Sequence, residues 1–194
     1  MIEILSYEDN PQLPVHHANE LAYSFLLPED VLKDKNVLEV GPGDDGRYSK
    51  ALITMANHVL AVDVFDQNTI DLSKMFIDNK KYSTITCDIR DIKRGNLDVC
   101  FHVGVLYHLK NPEEHLETVA KLAPVLILDT HYENGEESRT HGEGGGSRSG
   151  PDGNSIWLTL NALVACLEKN YREVKMIKNY YLAGNHRVAF LCRR

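Results

Sequence analysis

Residues Asn36–Lys50 read NVLEVGPGDDGRYSK, and the fold follows from how this stretch is parsed. A short apolar run, Val37, Leu38 and Val40, stops at Gly41. Gly43 and Gly46 follow, and a segment able to form helix begins at Arg47. That order predicts strand, tight turn and helix, the arrangement that presents backbone N–H groups and a helix N-terminus to a ligand. Glycine serves there because the chain must turn through positive φ and a ligand must come close to the backbone. Taken alone, GPGDDG fits a dinucleotide fingerprint and also a turn that binds nothing.

Glu39 narrows the choice. A carboxylate inside a strand, two places before the first glycine, is expensive to bury unless it receives hydrogen bonds. A cationic or amine-bearing ligand over the turn gives it a purpose; a pyrophosphate does not. The segment Glu39-Val40-Gly41-Pro42-Gly43 resembles the first motif of the S-adenosylmethionine-dependent methyltransferases, a strand followed by E/D-x-G-x-G. The third glycine, Gly46, stands one place later than is common in that family, so a differently built turn tip is expected.

Acidic residues recur where successive strands end. Val59–Val62 reads as a second strand closed by Asp63, about 20 residues past the glycines, a position suited to ribose hydroxyls; capping the loop after the strand is the alternative. Ser83–Cys87 is β-branched and strand-like, and Asp88-Ile89 follows. The resemblance implies that Asp88 binds the adenine amino group and Ile89 packs on its ring. It implies a cofactor set of Glu39, Gly41, Pro42, Gly43, Asp63, Val64, Asp88 and Ile89, with Gly104, Val105 and Leu106 alongside, and S-adenosylmethionine as the cofactor.

The rest of the chain supplies the expected frame. Residues 1–35, broken by Pro11, Pro14 and Pro28, are expected to be a helical flap or packing arm, with a helix over His16–Leu27 and another starting near Pro28. Residues 36–194 form one domain. Helices are expected over Arg47–Asn57, with Leu52, Met55 and Ala56 inward, and over Thr69–Asn79, with Ile70, Met75 and Phe76 inward. A fourth strand, Asp98–Val103, is apolar throughout, as a central parallel strand should be. Asn111-Pro112-Glu113-Glu114 predicts a capped helix start with a capping box. A fifth strand covers Ala123–Thr130. Residues 131–154 hold seven of the thirteen glycines and read as a lid or substrate loop. A helix is expected over Ser155–Asn170, then strands at Arg172–Ile177 and His186–Cys192, joined too briefly for a crossover and therefore antiparallel. The fold class is thus α/β, a Rossmann-like seven-stranded sheet with an antiparallel last strand and helices on both faces.

GVLYHLKNPEEHL and NSIWLTLNALVACLEKNYREVKMI together resemble the tRNA wobble-uridine carboxymethyltransferases, with Tyr107 at a tyrosine position of that group and a Trp-initiated helix implied before the sixth strand. That resemblance makes a tRNA base an alternative acceptor. Tyr107 and His108 follow the fourth strand and are the catalytic candidates, His108 as a base and Tyr107 shaping the acceptor pocket. A non-catalytic cofactor-binding protein is the other alternative. Asp129, His131 and His141 are candidates for a magnesium set, but that ion prefers carboxylates and carbonyls to imidazoles, so no metal is expected.

Composition bounds the partners. Net charge is −7, from 21 basic and 28 acidic residues, which disfavours broad attraction to nucleic acid or anionic membrane. A small-molecule acceptor is therefore expected, transferred to at O or N. Arg139 and Arg148 are the cations of the glycine-rich loop. Cys87, Cys100, Cys166 and Cys192 lack zinc spacing and read as buried thiols. No basic-then-apolar leader and no membrane-length run is present, so a cytoplasmic location is expected.

Overall fold

The computed structural model describes residues 2–6, 24–93, 95–142, 154–178 and 186–194. Strands β1 (Ile2–Ser6), β2 (Asn36–Val40), β3 (His58–Asp63), β4 (Tyr82–Thr86), β5 (Val99–Val103), β6 (Val125–His131), β9 (Glu173–Lys178) and β10 (Arg187–Arg193) form one sheet in the order β1-β9-β10-β6-β5-β2-β3-β4. Strands β2 to β6 run parallel, and β10 lies antiparallel between β6 and β9. The seven expected strands are all present. An eighth, β1, adds to the outer edge parallel to β9, so the first residues extend the sheet. Of the predicted helix His16–Leu27, residues 16–23 lie outside the described residues, and 24–26 are helical.

Helices α1 (Glu29–Leu32), α2 (Arg47–Met55) and α3 (Asp66–Met75) cover one face; α4 (Pro112–Leu122) and α5 (Leu160–Asn170) cover the other. Alternation along β2 explains the two cores: Val37 packs with Leu52, Val59 and Phe101, while Leu38 and Val40 pack with Leu116, Leu126 and Leu163. Strand β2 begins the series. The chain then steps outward to β3 and β4, and crosses back to β5 and β6. The sheet order therefore reverses between β2 and β5, and the crevice beyond their C-terminal ends is where ligands bind in open α/β sheets.

Several local expectations change. Helix α3 starts at Asp66 rather than Thr69, and it buries Leu72; Ile70 and Met75 are exposed. Asn111 precedes Pro112, the first residue of α4, but closes no capping box: its side-chain amide donates to Glu114 Oε2 at 3.4 Å. Residues 154–157 are not helical. They form β8 (Asn154–Trp157), paired antiparallel with β7 (Arg139–Gly142); residues 143–153 of the glycine-rich stretch lie outside the described residues. Trp157 belongs to that hairpin, and α5 begins after Thr159, whose side chain accepts from the Ala162 N–H. Arg148 lies outside the described residues. No helix among the described residues is long and apolar enough to cross a membrane.

Candidate active site

The turn after β2 carries three residues in the left-handed region, Gly41 (φ 63°), Gly43 (φ 72°) and Gly46 (φ 56°). At Gly41 a Cβ would sit 2.3 Å from Val105 Cγ2, so only glycine lets the turn meet the end of β5. Gly46 is the residue just before α2, and a Cβ there would press on Leu72 and Phe76. The displaced third glycine thus packs α2 against α3, while Gly43 faces open space.

A cavity of about 330 Å³ opens over this turn. Its walls come from the ends of β2 to β5: Val40, Gly41, Pro42, Gly43, Asp63, Val64, Asp88, Ile89, Gly104, Val105, Tyr107 and His108 among them. Eleven of the thirteen residues selected from sequence line it. Two do not. Leu106 is 1% exposed and turns into the core, because one residue of the tight 106–108 turn must face inward for its neighbours to face the cavity. Glu39 is 2% exposed and lies beneath the turn. Its Oε2 accepts from Ser49 Oγ at 2.7 Å, and that hydroxyl lies 3.1 Å from Tyr82 Oη. Burial raises the Glu39 carboxyl to about 7. Ser49 is therefore its hydrogen-bond partner in the fold, and Glu39 sits beneath the turn rather than among the residues of the cavity wall.

Asp63 ends β3, with Oδ1 accepting from the Phe65 N–H and Oδ2 from Asn68 Nδ2, both at 2.9 Å. These bonds fix the carboxylate at the cavity wall, and each oxygen keeps a second lone pair. Asp88 receives the Arg90 N–H and Nε on Oδ1 and Nη2 on Oδ2, and those bonds hold its carboxyl down at about 2. Behind it His115 lines the cavity, its Nε2 2.9 Å from Nε2 of the buried His102. Burial lowers His115 to about 4 and His102 well below the usual range. The charged residues of the lining are Asp44, Asp45, Asp63 and Asp88 against Arg47, which pairs with Asp45. Such a cavity favours a cation over an anion.

Beyond Gly104 stands a group that sequence reading largely missed. Arg187, first in β10, faces Asp129 of β6: Nε lies 2.9 and 3.2 Å from the two carboxylate oxygens, and Nη2 also donates to Oδ1. A Cβ on Gly104 would lie 3.6 Å from Arg187 Nη2, and the guanidinium sits 5.9 Å from the Tyr107 ring centre. His131 stands edge-on to Tyr107 at 4.6 Å and stacks on Trp157 at 4.5 Å and 9°. His141 lies against the same indole at 4.3 Å. The available signal was register: two antiparallel strands that place Arg187 beside the end of β6. Asp129 is thereby engaged by arginine, and among the described residues no group of three or more His, Cys, Asp or Glu could hold a metal ion. Cys87 also lines the cavity, whereas Cys100 and Cys192 are buried.

Residues 38–124 match the family of the methyltransferase domain. The chain superimposes on the N-terminal domain of EvdMO1, solved with SAH and D-fucose, with a TM-score of 0.74 at 19% identity, covering 94% of this chain and 83% of that one. It also matches the 1,6-didemethyltoxoflavin-N1-methyltransferase of Burkholderia thailandensis, solved with its substrate and S-adenosylhomocysteine: TM-score 0.65, 14% identity, 93% and 83% covered. Magnesium protoporphyrin IX methyltransferase (ChlM) from Synechocystis PCC 6803, with bound SAM, gives 0.63 at 14% identity, over 93% and 79%. No curated protein matches the sequence.

Proposed function

We propose that this chain is a class I S-adenosylmethionine-dependent methyltransferase that transfers the methyl group to an oxygen or nitrogen of a small molecule. The observation that carries the reading is one acid-lined cavity in which the glycine turn, Asp63 and Asp88 stand at the ends of three successive parallel strands. These residues fit the cofactor's chemistry. Asp63 suits ribose hydroxyls, Asp88 the adenine amine, and Ile89 and Val64 offer apolar contact to the base. Gly41 to Gly43 leave room for the amino-acid end, and Glu39 holds the turn from beneath through Ser49.

When bound, S-adenosylmethionine supplies an electrophilic methyl group on sulfur. The protein's part is to orient the acceptor, exclude water and, for an O or N acceptor, remove a proton. Gly104 and Val105 bring the backbone close. Tyr107 walls the acceptor side, and His108 is placed to take the proton. A cavity of about 330 Å³ is of small-ligand size. Among the described residues, its rim offers no basic track for a polyanion, because Arg47 and Arg90 pair with Asp45 and Asp88.

Radiolabelled cofactor, incubated separately with a metabolite extract and with pooled tRNA, tests the reading. Label should appear in small organic products. Label in tRNA alone would overturn the choice of acceptor, and cofactor binding without transfer to either pool would overturn catalysis.

A further inference from the structure

Among the described residues, the group beyond Gly104 holds buried polar atoms without a hydrogen-bond partner: His131 Nδ1 and Trp157 Nε1, and His141 Nε2 beside the same indole. The His131 and Trp157 rings are stacked, 4.5 Å apart and 9° from parallel. Trp157 Nε1 can only donate. The His131 tautomer follows from its other nitrogen: Nε2 faces Arg187 Nη1 at 3.4 Å, and a guanidinium has no lone pair to offer, so Nε2 accepts and the proton resides on Nδ1. Burial, with Arg187 adding to it, lowers His131 to about 4 and keeps the ring neutral. Neither N–H makes a well-aligned hydrogen bond, although the His186 backbone contact favours the charged form of the His131 ring, and each is withdrawn from water at a cost that native structures seldom leave uncompensated.

Their place gives that cost a meaning. His131 stands edge-on to Tyr107, which lines the cavity, and the strand bearing Trp157 packs on the 106–108 turn. Neither ring is part of the cavity wall itself; His131 stands directly behind Tyr107 and Trp157 behind His131, next to the acceptor side. Charge there is balanced, since Arg187 is matched by Asp129 and both rings are neutral, so a phosphate dianion would find no uncommitted cation among these groups. Tyr107 supplies the wall, and His131 and Trp157 back it.

We propose that His131 Nδ1–H and Trp157 Nε1–H form an acceptor subsite that grips a carbonyl or carboxylate oxygen on a small, flat acceptor molecule. The subsite rests on the methyltransferase reading of the adjoining cavity. It assigns Trp157 and His131 to acceptor recognition, with the group to be methylated held toward Tyr107 and His108 and the gripped oxygen at the far end.

Trp157 is the chain's one tryptophan, so its fluorescence reports on this subsite alone. The protein, saturated with S-adenosylhomocysteine, is titrated with para-hydroxybenzoate, para-hydroxyacetophenone and para-ethylphenol, which share a ring and a phenol but differ at the far end. The first two should perturb the emission and bind about tenfold tighter than para-ethylphenol, the scale of one or two hydrogen bonds. His131→Phe, which retains a flat ring, and Trp157→Phe, followed by calorimetry, should erase that preference while leaving S-adenosylhomocysteine affinity unchanged. Equal binding of all three probes, or no binding of any, by protein that still takes S-adenosylhomocysteine overturns the subsite alone. Loss of S-adenosylhomocysteine binding by the unsubstituted protein overturns the cavity assignment instead.

Discussion

Glu39 carries a carboxyl raised from 4.5 to about 7 by burial, which ties its charge state to stability. A folded-state value above the unfolded one means that its contribution is fully present below pH 4.5 and is lost as pH rises through about 7. Glu39→Gln keeps the shape and an acceptor for Ser49 without the charge. It should stabilise the protein at pH 8 relative to pH 4.5 by about 2–3 kcal/mol, read from urea midpoints. An unchanged difference between the two pH values would show that Glu39 is not held in an apolar site. Gly41→Ala acts through shape, because its new methyl would sit 2.3 Å from Val105 Cγ2 on a backbone at φ 63°. It should lower stability by about 1–3 kcal/mol and weaken S-adenosylhomocysteine binding by at least about tenfold in calorimetry. Sequence made Glu39 prominent for the right reason, its oddity inside a strand. It could not reveal that Ser49, ten residues on, would be the hydrogen-bond donor. That pairing depends on how α2 lies across the sheet.

Among elements, β6 and β10 are pinned at their ends by Asp129 and Arg187, the carboxylate almost fully buried. Arg187→Met removes the partner and leaves a buried charge, and should cost about 3–5 kcal/mol. Asp129→Asn combined with Arg187→Met should recover part of that loss. A double variant no more stable than Arg187→Met would show that the pair is not what makes the single change costly. The strands themselves were legible from apolar runs and turn residues, and their antiparallel pairing from the short connection. The β8 strand was not. Ile156 and Leu160 fall four apart, the spacing of a helical face, so the apolar stripe of α5 runs backward into the strand. Thr159 was the stop signal, since its side chain accepts from the Ala162 N–H. The Asn111 capping box failed for a related reason: Glu114 draws the asparagine amide away from the helix end.

For the whole molecule, three histidines and two carboxyls set the response to pH near neutrality. His102, His115 and His131 are all lowered from 6.5, the latter two to about 4, chiefly by burial. In that window the unfolded chain binds more protons, so stability falls as pH drops from 6.5 toward 4. Around His102 and His115 the facing groups are each other, Asp88 and Arg90; around His131 they are Arg187, His108 and His141. Glu39, between 4.5 and about 7, and Asp129, also raised by burial, act with the opposite sign, and the three histidines outweigh the two carboxyls. Urea midpoints should therefore peak near pH 6.5 and fall on the acid side. A midpoint flat from pH 6.5 to 4.5 would contradict the burial of these rings. The fold and the residues that line the cavity were readable because strand–turn–helix order and acids at strand ends leave a linear trace. The group beyond Gly104 draws Tyr107, His131, Trp157 and Arg187 from distant elements, and only the closed sheet brings them together. The cavity's assignment is tested most directly by isothermal titration of the folded chain with S-adenosylhomocysteine and, in parallel, NADH. One site for S-adenosylhomocysteine, weakened at least about tenfold by Asp63→Ala, with no heat from NADH, is the predicted result. No binding of S-adenosylhomocysteine at millimolar concentration, or preference for NADH, would contradict it.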